Sequence, residues 1–109
     1  MRRVMKFGGS SVADVTKMKH VAGGIALGRA AGDEIVVVVS AMGKTTNQLL
    51  AMAKEASGNP SKREMDMMLA TGEQVSIALL SMVLEEMGVP AVSLTGRQGG
   101  AKTAGLHTK

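Results

Sequence analysis

Glu34-Ile35-Val36-Val37-Val38-Val39-Ser40 is the stretch that decides the fold class of this chain. Five β-branched residues in succession are stiff at χ1 and suit a pleated strand. The run shows no alternation of apolar and polar residues, so it is expected to be buried on both faces, as in parallel sheets covered by helices. Upstream, Val4-Met5-Lys6-Phe7 is a second short apolar run, closed by Gly8 and Gly9 and read as a strand ending in a turn. Between the two strands, Val15, Met18, Ala22, Ile25 and Ala26 recur at helical spacing. Ser11-Val12-Ala13-Asp14 resembles a capping box at the start of that helix, and Gly32 is its expected stop.

Downstream, the loop Ala41-Met42-Gly43-Lys44-Thr45-Thr46 leads into a second helix ending near Glu55. Ser57-Gly58-Asn59-Pro60-Ser61 is the clearest break in the chain. A long helical pattern follows from Lys62 to Met87, with a break or kink expected at Thr71-Gly72. Gly88 ends it, and Val89-Pro90-Ala91-Val92-Ser93-Leu94 opens another strand. The Gly-rich tail from Thr95 to Lys109 is read as lacking a closing element. Strand, helix, strand, helix, helix, strand is α/β order, with right-handed crossovers onto a mainly parallel sheet. Such sheets bind ligands beyond the carboxyl ends of their strands, and the chemistry-bearing residues follow Phe7, Val39 and Leu94.

The bulk properties fit one domain. The chain has 109 residues, 45% hydrophobic and 20% charged, a balance that supports a packed core. With 10 Met and a single aromatic residue, aliphatic and thioether side chains must fill that core. The net charge is +4, but basic residues are scattered and not interleaved with aromatics, so no nucleic-acid partner is expected. There is no Cys for disulfides or thiolate metal sites. The start lacks a signal-peptide core, and no uninterrupted apolar run approaches the ~20 residues that span a bilayer. A cytoplasmic location without membrane association is the expectation.

Several segments carry candidate chemistry. In Lys6-Phe7-Gly8-Gly9-Ser10-Ser11, glycines allow close backbone approach, and the hydroxyls with a following helix N-terminus would complete an anion site. Lys6 is placed to neutralise charge on a transferring phosphoryl group, although the same segment also reads as an ordinary turn with a surface lysine. Gly43-Lys44-Thr45 suggests a P-loop, but that motif needs a glycine at the position held by Val38, so the match fails. Ser40, Thr45 and backbone amides remain able to take a phosphate or carboxylate, with helix capping by Thr45 or Thr46 as the plainer alternative. Glu73 could hold an ammonium or simply favour a helix dipole. Arg97 and Lys102 could meet an anion or remain surface charges. His20 and His107 stand too far apart, with no carboxylates spaced around them, to form a metal site, and none is expected.

Taken in order, four segments resemble the aspartokinases of the amino-acid kinase family. They are Lys6-Phe7-Gly8-Gly9-Ser10-Ser11, Val39 to Asn47, Arg63-Glu64-Met65-Asp66 leading to Thr71-Gly72-Glu73, and Ser93-Leu94-Thr95-Gly96 with Gln98. The resemblance covers essentially the whole chain. It implies an incomplete three-layer α/β sandwich, with residues 1–109 as the N-terminal portion of a catalytic domain and no regulatory domain. The implied reaction passes the ATP γ-phosphoryl group to the β-carboxylate of L-aspartate, opening the route to lysine, threonine and methionine. Mg2+ would be held through the nucleotide phosphates.

Carried over, Lys6 would stabilise the transferring group and Gly8, Gly9 and Ser10 would hold ATP phosphates. Ser40 and Thr45 would line the aspartate and phosphate crevice, and Glu73 would bind the aspartate amino group. Ser10 stands where the family has Thr, and Gln98-Gly99-Gly100-Ala101 replaces Gln-Ala-Gly-Ile. The family's domain continues beyond this point, so the chain alone is expected to be inactive, and the full-length protein a homo-oligomer. Two alternatives stand beside this reading. One is a kinase of the same family acting on another carboxylate or a carbamate. The other is a non-enzymatic α/β module that binds a nucleotide or phosphate.

Overall fold

A computed structural model describes residues 1–94 and 105–108. Its elements are β1 (Arg2–Phe7), α1 (Val15–Ala30), β2 (Glu34–Val39), α2 (Gly43–Ala56), α3 (Lys62–Glu86), β3 (Ala91–Leu94) and β4 (Gly105–Thr108). Four strands form one sheet in the order β1-β2-β4-β3. β1 and β2 pair in parallel, Arg2 opposite Glu34 and Phe7 opposite Val39. β4 pairs antiparallel with both β2 and β3. It follows that β1, β2 and β3 all run one way, as the α/β order required, with a reversed strand inserted between two of them. That strand corrects the reading of the tail as lacking a closing element. Arg97, Lys102 and the Gln98 to Ala101 segment lie outside the described residues.

Burial along β2 alternates: Ile35, Val37 and Val39 are buried, whereas Val36 and Val38 are only half-buried. The buried face meets Met18, Val21, Ala22 and Ile25 of α1, Ile77, Leu80 and Leu84 of α3, and Leu106 of β4. Burial of β2 on both faces is therefore corrected. An unbroken valine run looks the same whether one face or two are covered. On the other face Val4 of β1 is 62% exposed, so of the three expected layers the described residues supply the sheet and one helical layer.

Helix α1 starts later than expected. Its N-cap is Asp14, whose carboxylate accepts from the Lys17 amide at 2.8 Å, and not Ser11. Asp is as good a cap as Ser, and here it satisfies an amide that the helix leaves unpaired. Asp14→Ala is expected to destabilise the fold by about 1 kcal/mol, read as a lower unfolding midpoint in urea. The stop at Gly32 holds, since its φ of +97° is readily open only to glycine. Gly88, with φ +84°, ends α3 in the same way.

Helix α3 runs through 25 residues without the expected break at Thr71-Gly72. The Thr71 hydroxyl donates to the Met68 carbonyl at 2.6 Å, so it stays paired within the helix. Gly72 is buried against α2 and the loop before it, and this packing outweighs the weak helix propensity of glycine. By length and composition α3 could cross a membrane, since one 18-residue stretch of it has a mean hydropathy of 1.5 that no uninterrupted apolar run announces. Its Ile77, Leu80 and Leu84 are part of the core.

Candidate functional site

Two loops and one helical turn meet at the carboxyl ends of β1 and β2. Gly8 to Ser11 form a turn closed by a hydrogen bond from the Ser11 amide to the Gly8 carbonyl at 3.1 Å. The Ser40 amide donates to the Phe7 carbonyl at 3.1 Å and carries the β1–β2 ladder one step beyond the strands. Neither Gly8 nor Gly9 has a positive φ, so their value lies in space rather than in backbone freedom. A Cβ on Gly9 would stand 3.0 Å from the Ala41 carbonyl oxygen and 3.6 Å from the Gly43 nitrogen. At Gly8 a Cβ would meet nothing within 4 Å, which leaves that backbone open to a ligand.

A helix N-terminus at this site is supplied by α2, whose Gly43 nitrogen lies beside Gly9. Helix α1 begins only at Val15, and the Asp14 carboxylate takes one of its first-turn amides, that of Lys17. Helix α2 begins at Gly43 after Met42, which supplies no side-chain cap. Thr45 and Thr46 lie inside the first turn and do not cap it; Thr46 Oγ1 donates to the Met42 carbonyl at 3.5 Å. The first amides of α2 therefore remain available, and the helix dipole favours an anion in front of them.

Gly72 brings in the third piece. A Cβ there would lie 2.9 Å from the Ala41 Cβ, 3.3 Å from Thr45 Cγ2 and 3.5 Å from Leu49 Cδ1. Ala41 thus touches both the cradle glycine Gly9 and the helical glycine Gly72, and it is buried in doing so. Glu73, next to Gly72, is half-buried, and desolvation pushes its carboxyl above the usual range. Among the described residues no partner offsets that shift. Because α3 is unbroken, Glu73 sits mid-helix, and the reading in which it favours a helix dipole falls away.

Lys6, Ser10 and Ser40 are exposed and Thr45 is half-buried. Ser10 also borders a mainly apolar cavity of about 520 Å3 with Met5, Phe7, Ser11, Lys17, His20, Val21 and Gly24. Lys6, Ser40, Thr45 and Glu73 do not line it. Among the described residues no three His, Cys, Asp or Glu side chains gather as they would around a metal ion. His107 is engaged elsewhere: its Nε2 lies 2.6 Å from Glu34 Oε1, at the opposite end of β2. Arg2 at 3.0 Å, followed by His107, holds the Glu34 carboxyl below its ordinary range.

Sequence reasoning missed Ala41 as the shared neighbour, since an alanine in a loop carries no signal of its own. The paired glycines Gly9 and Gly72 were legible as glycines, but not as two halves of one contact.

The sequence profile of the amino acid kinase family matches residues 1–109. The chain is 57% identical over 104 residues to an aspartokinase of Geobacillus stearothermophilus, covering 95% of this chain and 26% of that protein. Against aspartokinase 2 of Bacillus subtilis the identity is 55% over the same span and coverage. An aspartate kinase crystal structure from Synechocystis superposes with a TM-score of 0.87 at 54% identity, covering 90% of this chain and 17% of that one. The chain spans about a quarter of the length of the curated relatives it matches.

Proposed function

The chain belongs to the amino acid kinase family, and from that premise we propose that residues 1–109 form the N-terminal portion of an aspartokinase catalytic domain. Its reaction is transfer of the ATP γ-phosphoryl group to the β-carboxylate of L-aspartate. The observation that carries this reading is the double contact of Ala41, which gathers cradle, uncapped helix and Glu73 turn at the strand ends.

Each group has a defined task. The open backbone of Gly8, the close approach at Gly9 and the Ser10 hydroxyl hold nucleotide phosphates, with the first amides of α2 adding donors. Lys6, at the end of β1, lowers the charge on the phosphoryl group as it moves between oxygens. Ser40 and Thr45 orient the aspartate carboxylate, and Glu73 takes its ammonium. When bound, Mg2+ held through the nucleotide phosphates supplies further charge neutralisation. The product is an acyl phosphate, fit to enter the routes to lysine, threonine and methionine in the cytoplasm. Met67, Val75 and Met82 are exposed on α3 at spacings that share one helical face. That stripe supports assembly of the full-length protein as a homo-oligomer.

The test is Glu73→Gln in the full-length protein, assayed for ADP release with aspartate and ATP. The aspartate KM is expected to rise about ten- to a hundredfold, the value of one charge-assisted contact, with the ATP KM little changed. In the parent, kcat/KM for aspartate should fall as pH drops through the raised Glu73 pKa, because the protonated acid no longer attracts the ammonium. That acid limb should vanish in the Gln variant. An unchanged aspartate KM would remove Glu73 from the site.

A further inference from the structure

Ser76 is fully buried, at 0% exposure. Its Oγ is the only buried side-chain nitrogen or oxygen among the described residues without a hydrogen-bond partner. An unpaired hydroxyl in the interior is costly, and native folds rarely keep one idle. Inside a helix such a hydroxyl commonly bonds back to the preceding turn, as Thr71 does to Met68 on this same helix. The buried Thr108 hydroxyl is likewise committed, to the backbone of Ile35. Ser76 is the exception.

Helix geometry locates this hydroxyl. Side chains on a helix tilt toward its N-terminus, so Ser76 covers the turn made by Gly72 and Glu73. Gly72 contributes no side chain there, and the turn lies directly against Ala41 and Thr45. Ser76 thus stands one turn beyond Gly72 on the same side of α3, three residues after the half-buried Glu73.

We infer that Ser76 is a positioning residue for Glu73: its hydroxyl donates to the Glu73 carboxylate when that carboxylate receives the substrate ammonium. The inference rests on the assignment of Glu73 made above. Burial raises the Glu73 pKa, and no hydrogen-bonding or charged partner among the described residues offsets it, so among them the ionised form lacks a donor. A hydroxyl one turn away is the donor that the ionised form lacks. Ionised carboxylates draw shorter and stronger hydrogen bonds than neutral ones, so the bond is tied to ligand binding.

The experiment compares the full-length protein with Ser76→Ala, the near-isosteric Ser76→Cys, Glu73→Gln and the Ser76→Ala/Glu73→Gln double variant. Ser76→Ala is expected to raise the aspartate KM about tenfold, the scale of one hydrogen bond to a charged group, with kcat and the ATP KM within about twofold. It should also move the acid limb of the kcat profile, which reports the substrate-bound enzyme, to higher pH, since a donor that favours ionised Glu73 there is lost. Its thermal midpoint should equal or exceed the parent's, because an unpaired hydroxyl has been removed. Ser76→Cys, a weaker donor, should fall between the two and supplies the same readouts if the alanine variant folds poorly. On the Glu73→Gln background, Ser76→Ala should add nothing to the aspartate KM. An unchanged KM in Ser76→Ala beside a raised KM in Glu73→Gln overturns this inference alone, as does full additivity in the double variant. An unchanged KM in both single variants overturns the assignment of Glu73 and this inference with it.

Discussion

Lys6→Ala in the full-length protein is expected to lower kcat about 10²- to 10³-fold, the usual loss when one preorganised charge-stabilising group is removed, while the KM values for ATP and aspartate change little. The expectation follows from place and chemistry together. Lys6 is the last but one residue of β1, in register with Val38, and two residues before the open backbone of Gly8. None of the ion pairs among the described residues engages it, so its ammonium is not committed to holding the fold. As the phosphoryl group leaves ATP, charge is redistributed over its equatorial oxygens and the leaving oxygen, and a fixed ammonium acts mainly on that redistribution. Lys6→Arg should restore little, because a planar guanidinium presents its charge in a different geometry. A kcat within threefold of the parent in Lys6→Ala would exclude the role.

Gly72→Val is expected to damage both stability and substrate binding. Two effects oppose each other at this position. Any side chain but that of proline gains helix propensity over glycine, by up to about 1 kcal/mol. Against that, a Cβ would stand 2.9 Å from the Ala41 Cβ and 3.3 Å from Thr45 Cγ2, in a buried seam where Ala41 cannot swing aside. Overpacking of this kind costs about 1–3 kcal/mol, and the two γ-methyls of valine place the result at the upper end. Packing wins. The thermal midpoint should drop, and the surviving folded enzyme should show a raised aspartate KM, since Thr45 and Glu73 are pushed apart. Gly72→Ala, where propensity and clash nearly cancel, should show the KM effect with a much smaller loss of stability. Parental stability and KM in the valine variant would mean that α3 and the loop before α2 do not press together.

The α/β order was legible because its signals are local. A valine run, two glycine stops and helical spacing each act within a few residues, and β1, α1, β2, α2 and β3 follow from them. The failures share a different cause. Gly105-Leu106-His107-Thr108 has no apolar run and becomes a strand only because β2 and β3 lie on either side of it. Thr71-Gly72 carries a genuine local break signal, overridden by contacts with residues some thirty positions away. Ser11 and Asp14 are competing caps of equal local merit, and nothing in four residues decides between them. The candidate site divides in the same way. Lys6, Ser40, Thr45 and Glu73 could be named from residue type and position, whereas the meeting of their segments at Ala41 is a tertiary fact. Ser76 was invisible for the same reason, because a hydroxyl becomes conspicuous only once its surroundings are known.

The reversed strand β4 also sets an order of events. β1 and β2 can pair as soon as residue 39 has emerged, across a separation of 32 residues, with α1 alone between them. β3 cannot join them directly, because the lane beside β2 is reserved for residues 105–108. Leu106 is 1% exposed and closes the core, and Thr108 Oγ1 bonds both the amide and the carbonyl of Ile35, more than seventy residues earlier. Long-range pairing of this kind is slow, because loop closure precedes any reward in contacts. During synthesis the nascent chain would hold a finished two-stranded half and a waiting third strand, with apolar surface exposed between them until the keystone arrives.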